Sequence, residues 1–244
     1  MAKRIVLALG VVLLTGSAAF AQTPAWTEGR IFLGVNGGAQ VGSTRDEATS
    51  FSFSLYGEPA TVGVTRSVKG GPLFDIMAGG RVIGNLGVAG TLFMRKASSD
   101  GAVTASLPHP IFYDQPRSIT STVPNMTHEE LWSAVQAVYL VRIDDRLDML
   151  LLAGPTVVSV KHQVATAATV TEGASAPTVT MTTQDLTKMV WGYSLGADLR
   201  YMLTKNFGLG AFARYTGATA NMNSVVSIKL GGFQVGGGIR VQIK

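Results

Sequence analysis

The side chains of this sequence with the widest chemical range are three histidines, His109, His128 and His162, because an imidazole can carry a proton or bind a metal near neutral pH. Serine and threonine are abundant around them, so the inventory allows a hydroxyl nucleophile with an imidazole base. All three histidines fall in or near segments expected to be outer loops or strand ends, where solvation is the simpler expectation. His128-Glu129-Glu130 places a ring beside two carboxylates, but no second histidine follows at a ligand spacing such as H-x-x-x-H. The run therefore reads as a rim cluster of charge. Asp75 and Asp198 have arginines nearby, an arrangement that suits acid–base work but is more simply explained by ion pairing. With no cysteine in the chain, thiolate chemistry and disulfides are excluded. The glycine-rich segments lack phosphate-loop and dinucleotide fingerprints. The expectation is no catalytic residue, no metal ligand set and no cofactor.

The elements that would position these residues show a period of two. From Met189 to Leu203 the odd positions read Met, Trp, Tyr, Leu, Ala, Leu, Tyr, Leu, and the even ones carry glycine, Ser194, Asp198 and Arg200. Alternate side chains of a strand point to opposite faces, so one face is a continuous apolar stripe. Segments of this kind at roughly Arg30 to Val41, Leu73 to Ile83, Leu86 to Ser98, Glu129 to Ile143, Leu147 to Thr166, Thr187 to Leu203, Phe207 to Ala220 and Lys229 to Ile243 predict eight strands, with ten as the alternative. Gly84-Asn85, Asp144-Asp145-Arg146 and Thr204-Lys205-Asn206 supply tight turns. Longer stretches, Gly42 to Pro72, Ser99 to His128, Ala167 to Leu186 and Asn221 to Ile228, separate the pairs. Short turns at one end and long loops at the other are the asymmetry of an outer-membrane barrel. Ser50 to Leu55 and Val62 to Val64 alternate around a turn expected at Gly57-Glu58-Pro59. They are short for a crossing of roughly 9 to 11 residues and read as a β-rich tip of the first loop, and the fifth and sixth segments should protrude above the rim.

At the other end, Lys3 and Arg4, the apolar run Ile5 to Leu14 and Ala19-Phe20-Ala21 form a secretory leader, with residues 1–21 as signal peptide, Gln22 as first mature residue and 22–244 as one barrel domain. Loss of Lys3 and Arg4 lowers the formal charge from +5 to +3, too small an excess for a nucleic-acid partner.

The leader, the alternating stripes, the three tight turns and the closing segment Gly231 to Ile243 resemble the small outer-membrane β-barrel family that includes the OmpA barrel and OmpX. Gly238, Val241 and Ile243 fit the closing-strand spacing of that family, while Ile243 and Lys244 stand where its terminal aromatic would be. The resemblance implies an all-β, up-and-down antiparallel transmembrane barrel in the bacterial outer membrane. It implies a monomer whose partners are outer-membrane lipid and lipopolysaccharide, the barrel-assembly machinery, and an extracellular protein or phage met through the outer loops. A structural or adhesion-type surface role follows, with a narrow porin-like channel or a lipid A-modifying enzyme as alternatives. Deacylases among such barrels place His and Ser two residues apart on one strand, a pattern absent at His109, His128 and His162.

If the apolar stripes face lipid, the opposite faces place Arg30, Asp75, Arg81, Arg95, Glu130, Arg142, Asp148, Asp198, Arg200, Arg214 and Arg240 in the lumen. An eight-stranded barrel has room only for its own side chains, so these charges should form a paired plug, with Asp198 bonded to Arg200, Arg214 or Arg240. Ser50 to Val68 and His162 to Thr183 are expected to stand above the lipid as ribbons with unpaired edges able to capture an extended peptide.

Overall fold

The computed structural model describes residues 31–41, 45–68, 70–173, 176–223 and 226–243. The expected signal peptide and Arg30 lie outside them. Ten strands follow in chain order: β1 (Ile31–Val41), β2 (Arg45–Leu55), β3 (Glu58–Val68), β4 (Pro72–Ile83), β5 (Leu86–Leu107), β6 (Arg117–Arg142), β7 (Leu147–Thr171), β8 (Thr178–Met202), β9 (Phe207–Asn223) and β10 (Val226–Ile243). Eight of them close a ring in the order β5-β4-β1-β10-β9-β8-β7-β6, with β6 returning to β5. All pairs are antiparallel. The other two strands, β2 and β3, form a hairpin that joins the ring's outer margin where Thr61–Arg66 pair with Gly101–Ser106 of β5. The eight and ten of the sequence therefore describe different things, the wall and the total.

The period of two explains which face meets what. In β1, Ile31, Leu33 and Val35 point outward while Phe32, Asn36 and Gln40 are buried in the lumen. In β8 the outward row is Met189, Trp191, Tyr193, Leu195, Leu199 and Tyr201, with Trp191 75% exposed. Large apolar side chains displayed this widely are stable only against hydrocarbon. The apolar belt ends abruptly at a row of outward charges, where Lys96 pairs with Glu129 and Lys161 with Asp185. That row marks the outer boundary of the membrane, and the tight turns lie at the periplasmic end.

Above the boundary the strands do not become loops. The segments expected as the loops 99–128 and 167–186 are largely strand, because β5, β6, β7 and β8 continue unbroken past the lipid. From Ala97 to Leu107, β5 adds about 35 Å of strand path at ~3.3 Å per residue. The pairing of β6 with β7 stops at His128↔His162, so the wall splits there into two layers. One layer contains β2, β3, β5 and β6, and the other is the β7–β8 ribbon. Between them lies a dry core of Ala60, Val62, Val64, Val103, Ala105, Leu107, Met126, Ala165 and Val179. The hairpin turn is Tyr56-Gly57, one residue earlier than expected. Both residues have positive φ, 54° and 81°, a two-residue geometry that matches strand twist.

Candidate functional site

The lumen holds charge in a connected series. Nearest the periplasm, Arg200 donates from Nε and Nη2 to Asp148 at 2.6 and 2.8 Å, its guanidinium lying 5.5 Å from the Phe32 ring centroid. Arg240 donates to both oxygens of Asp198 at 2.8 to 3.2 Å and to Asn36 Oδ1 at 2.5 Å. Asn36 in turn donates to Asp75 at 2.5 Å, and Asp75 accepts from Arg214 at 2.7 Å. The Arg214 guanidinium stacks 4.0 Å from the centroid of Phe93 and bonds to Gln234 at 2.9 Å. One chain of hydrogen bonds thus runs from Asp198 to Gln234 through side chains of β8, β10, β1, β4 and β9. Beside it, Gln136 accepts from Thr91 at 2.8 Å and donates to Ser194 at 3.0 Å. The cavity left among these groups is about 20 Å³, enough for one water and no solute.

The small residues on this face make the closeness possible. A β-carbon added to Gly210 would lie 2.5 to 2.7 Å from the Arg240 guanidinium, so only glycine leaves that charge its place.

Of the charges expected in the lumen, the structure places Asp75, Arg95, Glu130, Asp198, Arg200, Arg214 and Arg240 there, fully or almost fully buried. Asp148 lies at the periplasmic end, partly exposed, and pairs with Arg200. Arg81 is half-buried at the same end of β4. Arg142 is a correction: its side chain is exposed at the periplasmic mouth and bonds to Asp145 of the adjoining turn, because it follows the last inward position of β6.

The histidines are a second correction. His109 is in the outermost β5–β6 turn, where Nδ1 accepts from the Ile111 and Phe112 amides. His128 and His162, expected as solvated, are only 1% and 3% exposed. They are register partners on β6 and β7, at the level where the wall splits and just above the row of outward charges. Their Nδ1 atoms lie 2.9 Å apart. His128 Nε2 lies 2.8 Å from Glu130 Oε1, and Glu130 also accepts from Arg95 and from the Trp132 indole, each at 2.8 Å. On the other side, His162 Nε2 lies 3.1 Å from Glu47 Oε2 on β2. Nearby, Arg66 of β3 donates to the Gln163 carbonyl on β7 at 3.0 Å and to Ser99 on β5 at 3.1 Å. Burial pushes the His128 ring below the ordinary imidazole value, against the pull of Glu130. Burial by itself would raise Glu47, but the His162 contact and the charges of His162, Arg66 and His128 outweigh it and hold that carboxyl below its usual range. Glu129, by contrast, points outward to Lys96. No cluster of three or more His, Asp and Glu fit to hold a metal occurs among the described residues.

No family model and no curated protein matches the chain. Among solved structures it is similar to Ail, the attachment invasion locus protein of Yersinia pestis, at 14% identity over 88% of this chain and 99% of that one, with a TM-score of 0.39. It is similar to the outer membrane protease OmpT of Escherichia coli at 9% identity over 90% and 96%, with a TM-score of 0.37. It is also similar to the β domain of the Bordetella autotransporter BrkA at 10% identity over 88% and 100%, with a TM-score of 0.25. The closed antiparallel ring, the apolar outer belt and the charged, side-chain-filled lumen make this chain a small bacterial outer-membrane β-barrel protein.

Proposed function

We propose that this barrel acts at the cell surface by binding, with no catalytic residue, and that it does so through the layered extension above the membrane. The observation that carries this reading is the free edge of β2. That strand pairs only with β3 among the described residues. From Ala48 to Leu55 the edge reads Ala-Thr-Ser-Phe-Ser-Phe-Ser-Leu, without charge or proline. Strand edges left open in this way are usually blunted, and the other long edges of the extension are: β6 carries Pro124 and a left-handed Asn125, and β8 carries Asp185 and Lys188. Serines line the outer face of β2, while Thr49, Phe51, Phe53 and Leu55 line its half-buried inner face. An extended peptide with alternating apolar and polar residues fits such an edge, its main chain supplying affinity and its apolar side chains lying beside the two phenylalanines.

The test removes the edge while keeping the barrel. Deleting residues 49–67, or placing Ser50→Lys and Ser52→Lys on β2, should preserve heat-modifiable migration and abolish whichever adhesion, serum-factor or phage-adsorption phenotype the parent shows. Full retention of those phenotypes in both variants, or solute-carrying single-channel conductance in the parent, would overturn the reading.

A further inference from the structure

The chain Glu47–His162–His128–Glu130 has three links, and each needs one proton between its two heavy atoms. Two neutral imidazoles carry only two N–H protons. With both carboxylates ionised, satisfying all three links requires one more, so one ring is an imidazolium. The arrangement that fits puts His128 Nε2–H on Glu130, His162 Nδ1–H on His128 Nδ1, and His162 Nε2–H on Glu47. His162 is then the charged ring beside a carboxylate that has no other hydrogen-bond partner among the described residues. His128 is the neutral one, in keeping with its burial.

Charges reach this cluster from every strand packed around it. Glu47 comes from β2, Arg66 from β3, Arg95 from β5, Glu130 from β6 and His162 from β7. The β8 partner of His162 is Leu186, and β9 and β10 present Ala220, Ile228 and Leu230 to the apolar cluster around Trp132 and Val160. Lys96 with Glu129 and Lys161 with Asp185 pair on the outer surface. The cluster therefore contains two arginines, two carboxylates and one mobile excess proton, and the Glu47 link joins the β2–β3 hairpin to the barrel wall.

We propose that this cluster is an acid-operated latch: a fourth proton, added at His128 Nδ1, sets N–H against N–H across the 2.9 Å contact and releases the β2–β3 hairpin from β6 and β7. The direction follows from linkage. A histidine whose folded-state pKa lies below its unfolded value stabilises the closed form above a pH of about 6.5, and that contribution fades as the pH falls further. Glu47 is displaced downward, so its contribution persists at neutral pH and is lost only below the carboxylate range. Acid thus acts on the histidine first. Release uncovers the inner faces of β2 and β3, with Phe51, Phe53, Val62 and Val64, while pairing of β3 to β5 keeps the hairpin attached.

The full chain with 15N-labelled histidine, folded in lipid nanodiscs, tests the proton count directly. At pH 7.5 the ring nitrogens of His128 and His162 should report one neutral Nε2–H tautomer and one imidazolium, with His109→Gln removing the third set of signals. Two neutral rings at that pH would overturn the proposal. Amide exchange, corrected for its intrinsic pH dependence, should accelerate at least tenfold in residues 46–55 and 60–68 between pH 7.5 and 5, while β4 and β10 stay unchanged. His128→Gln should abolish the difference. Equal acceleration in wild type and variant, or none in the wild type, would overturn it as well.

Discussion

Replacing Asp198 by asparagine removes the negative charge from the most heavily bonded pair of the lumen. Arg240 makes three contacts to that carboxylate at 2.8 to 3.2 Å, and both side chains are only 2 to 3% exposed. At ~3 Å and an effective dielectric of about 20, the attraction is about 5 kcal/mol. The amide introduced by the change would keep an acceptor oxygen, and Asn36 would still accept from Nη1 of Arg240, so part of the hydrogen bonding survives. The uncompensated guanidinium then costs about 3 kcal/mol or somewhat more. In the double variant Asp198→Asn with Arg240→Met no charge is stranded, and the loss should shrink to about 1 kcal/mol. Reversible unfolding of the barrel from lipid vesicles in urea, with wild type, both singles and the double, gives the coupling energy, expected at about 2 kcal/mol or more. Strictly additive losses, with coupling below about 0.5 kcal/mol, would refute the paired plug.

Gly210→Ala should destabilise by about 1 to 3 kcal/mol through overpacking against Arg240, and Arg240→Met should relieve much of that loss in the same unfolding assay. Leu195→Arg and Leu199→Arg, on the outward face of β8, should each cost ~2 to 4 kcal/mol near the bilayer midplane. Ser194→Arg, one position away but 3% exposed, should also fail, by crowding Gln136 in the lumen, and should do so equally in thick and thin bilayers.

The wall is legible in the sequence because two strong signals coincide there. Lipid forces large apolar residues onto one face, the lumen forces glycine and charge onto the other, and β8 shows both from Met189 to Leu203. The extension is less legible because its layers face water and a thin apolar core. Its inward residues are small, such as Ala60, Val103, Ala105 and Ala165, and threonine or serine fills the outer face, so the amphipathic contrast is weak. Pro124 also argues against a strand, although here it lies at an open edge of β6 where no amide hydrogen is needed. The histidine pair does have a signal in the sequence. A hairpin closed at Asp144-Asp145-Arg146 pairs residues at matching distances from the turn, so the register that joins Arg142 to Asp148 also joins His128 to His162. Glu47 has no such signal, because its contact depends on how the β2–β3 hairpin folds back over the rim.

The pairing of β1 with β10 has a consequence for biogenesis. Eleven consecutive residue pairs, Ile31↔Ile243 to Val41↔Phe233, join the first and last strands of the ring. Contacts so distant along the chain carry the largest loop-closure entropy and reward folding only late. Until the last strand arrives, β1 offers an unpaired edge at membrane depth, where bare amides and carbonyls have no water to satisfy them. Translation or secretion that stops short of β10 would thus yield a chain that cannot seal itself, a ready substrate for periplasmic proteases. Quality control would operate at a single closing event rather than strand by strand.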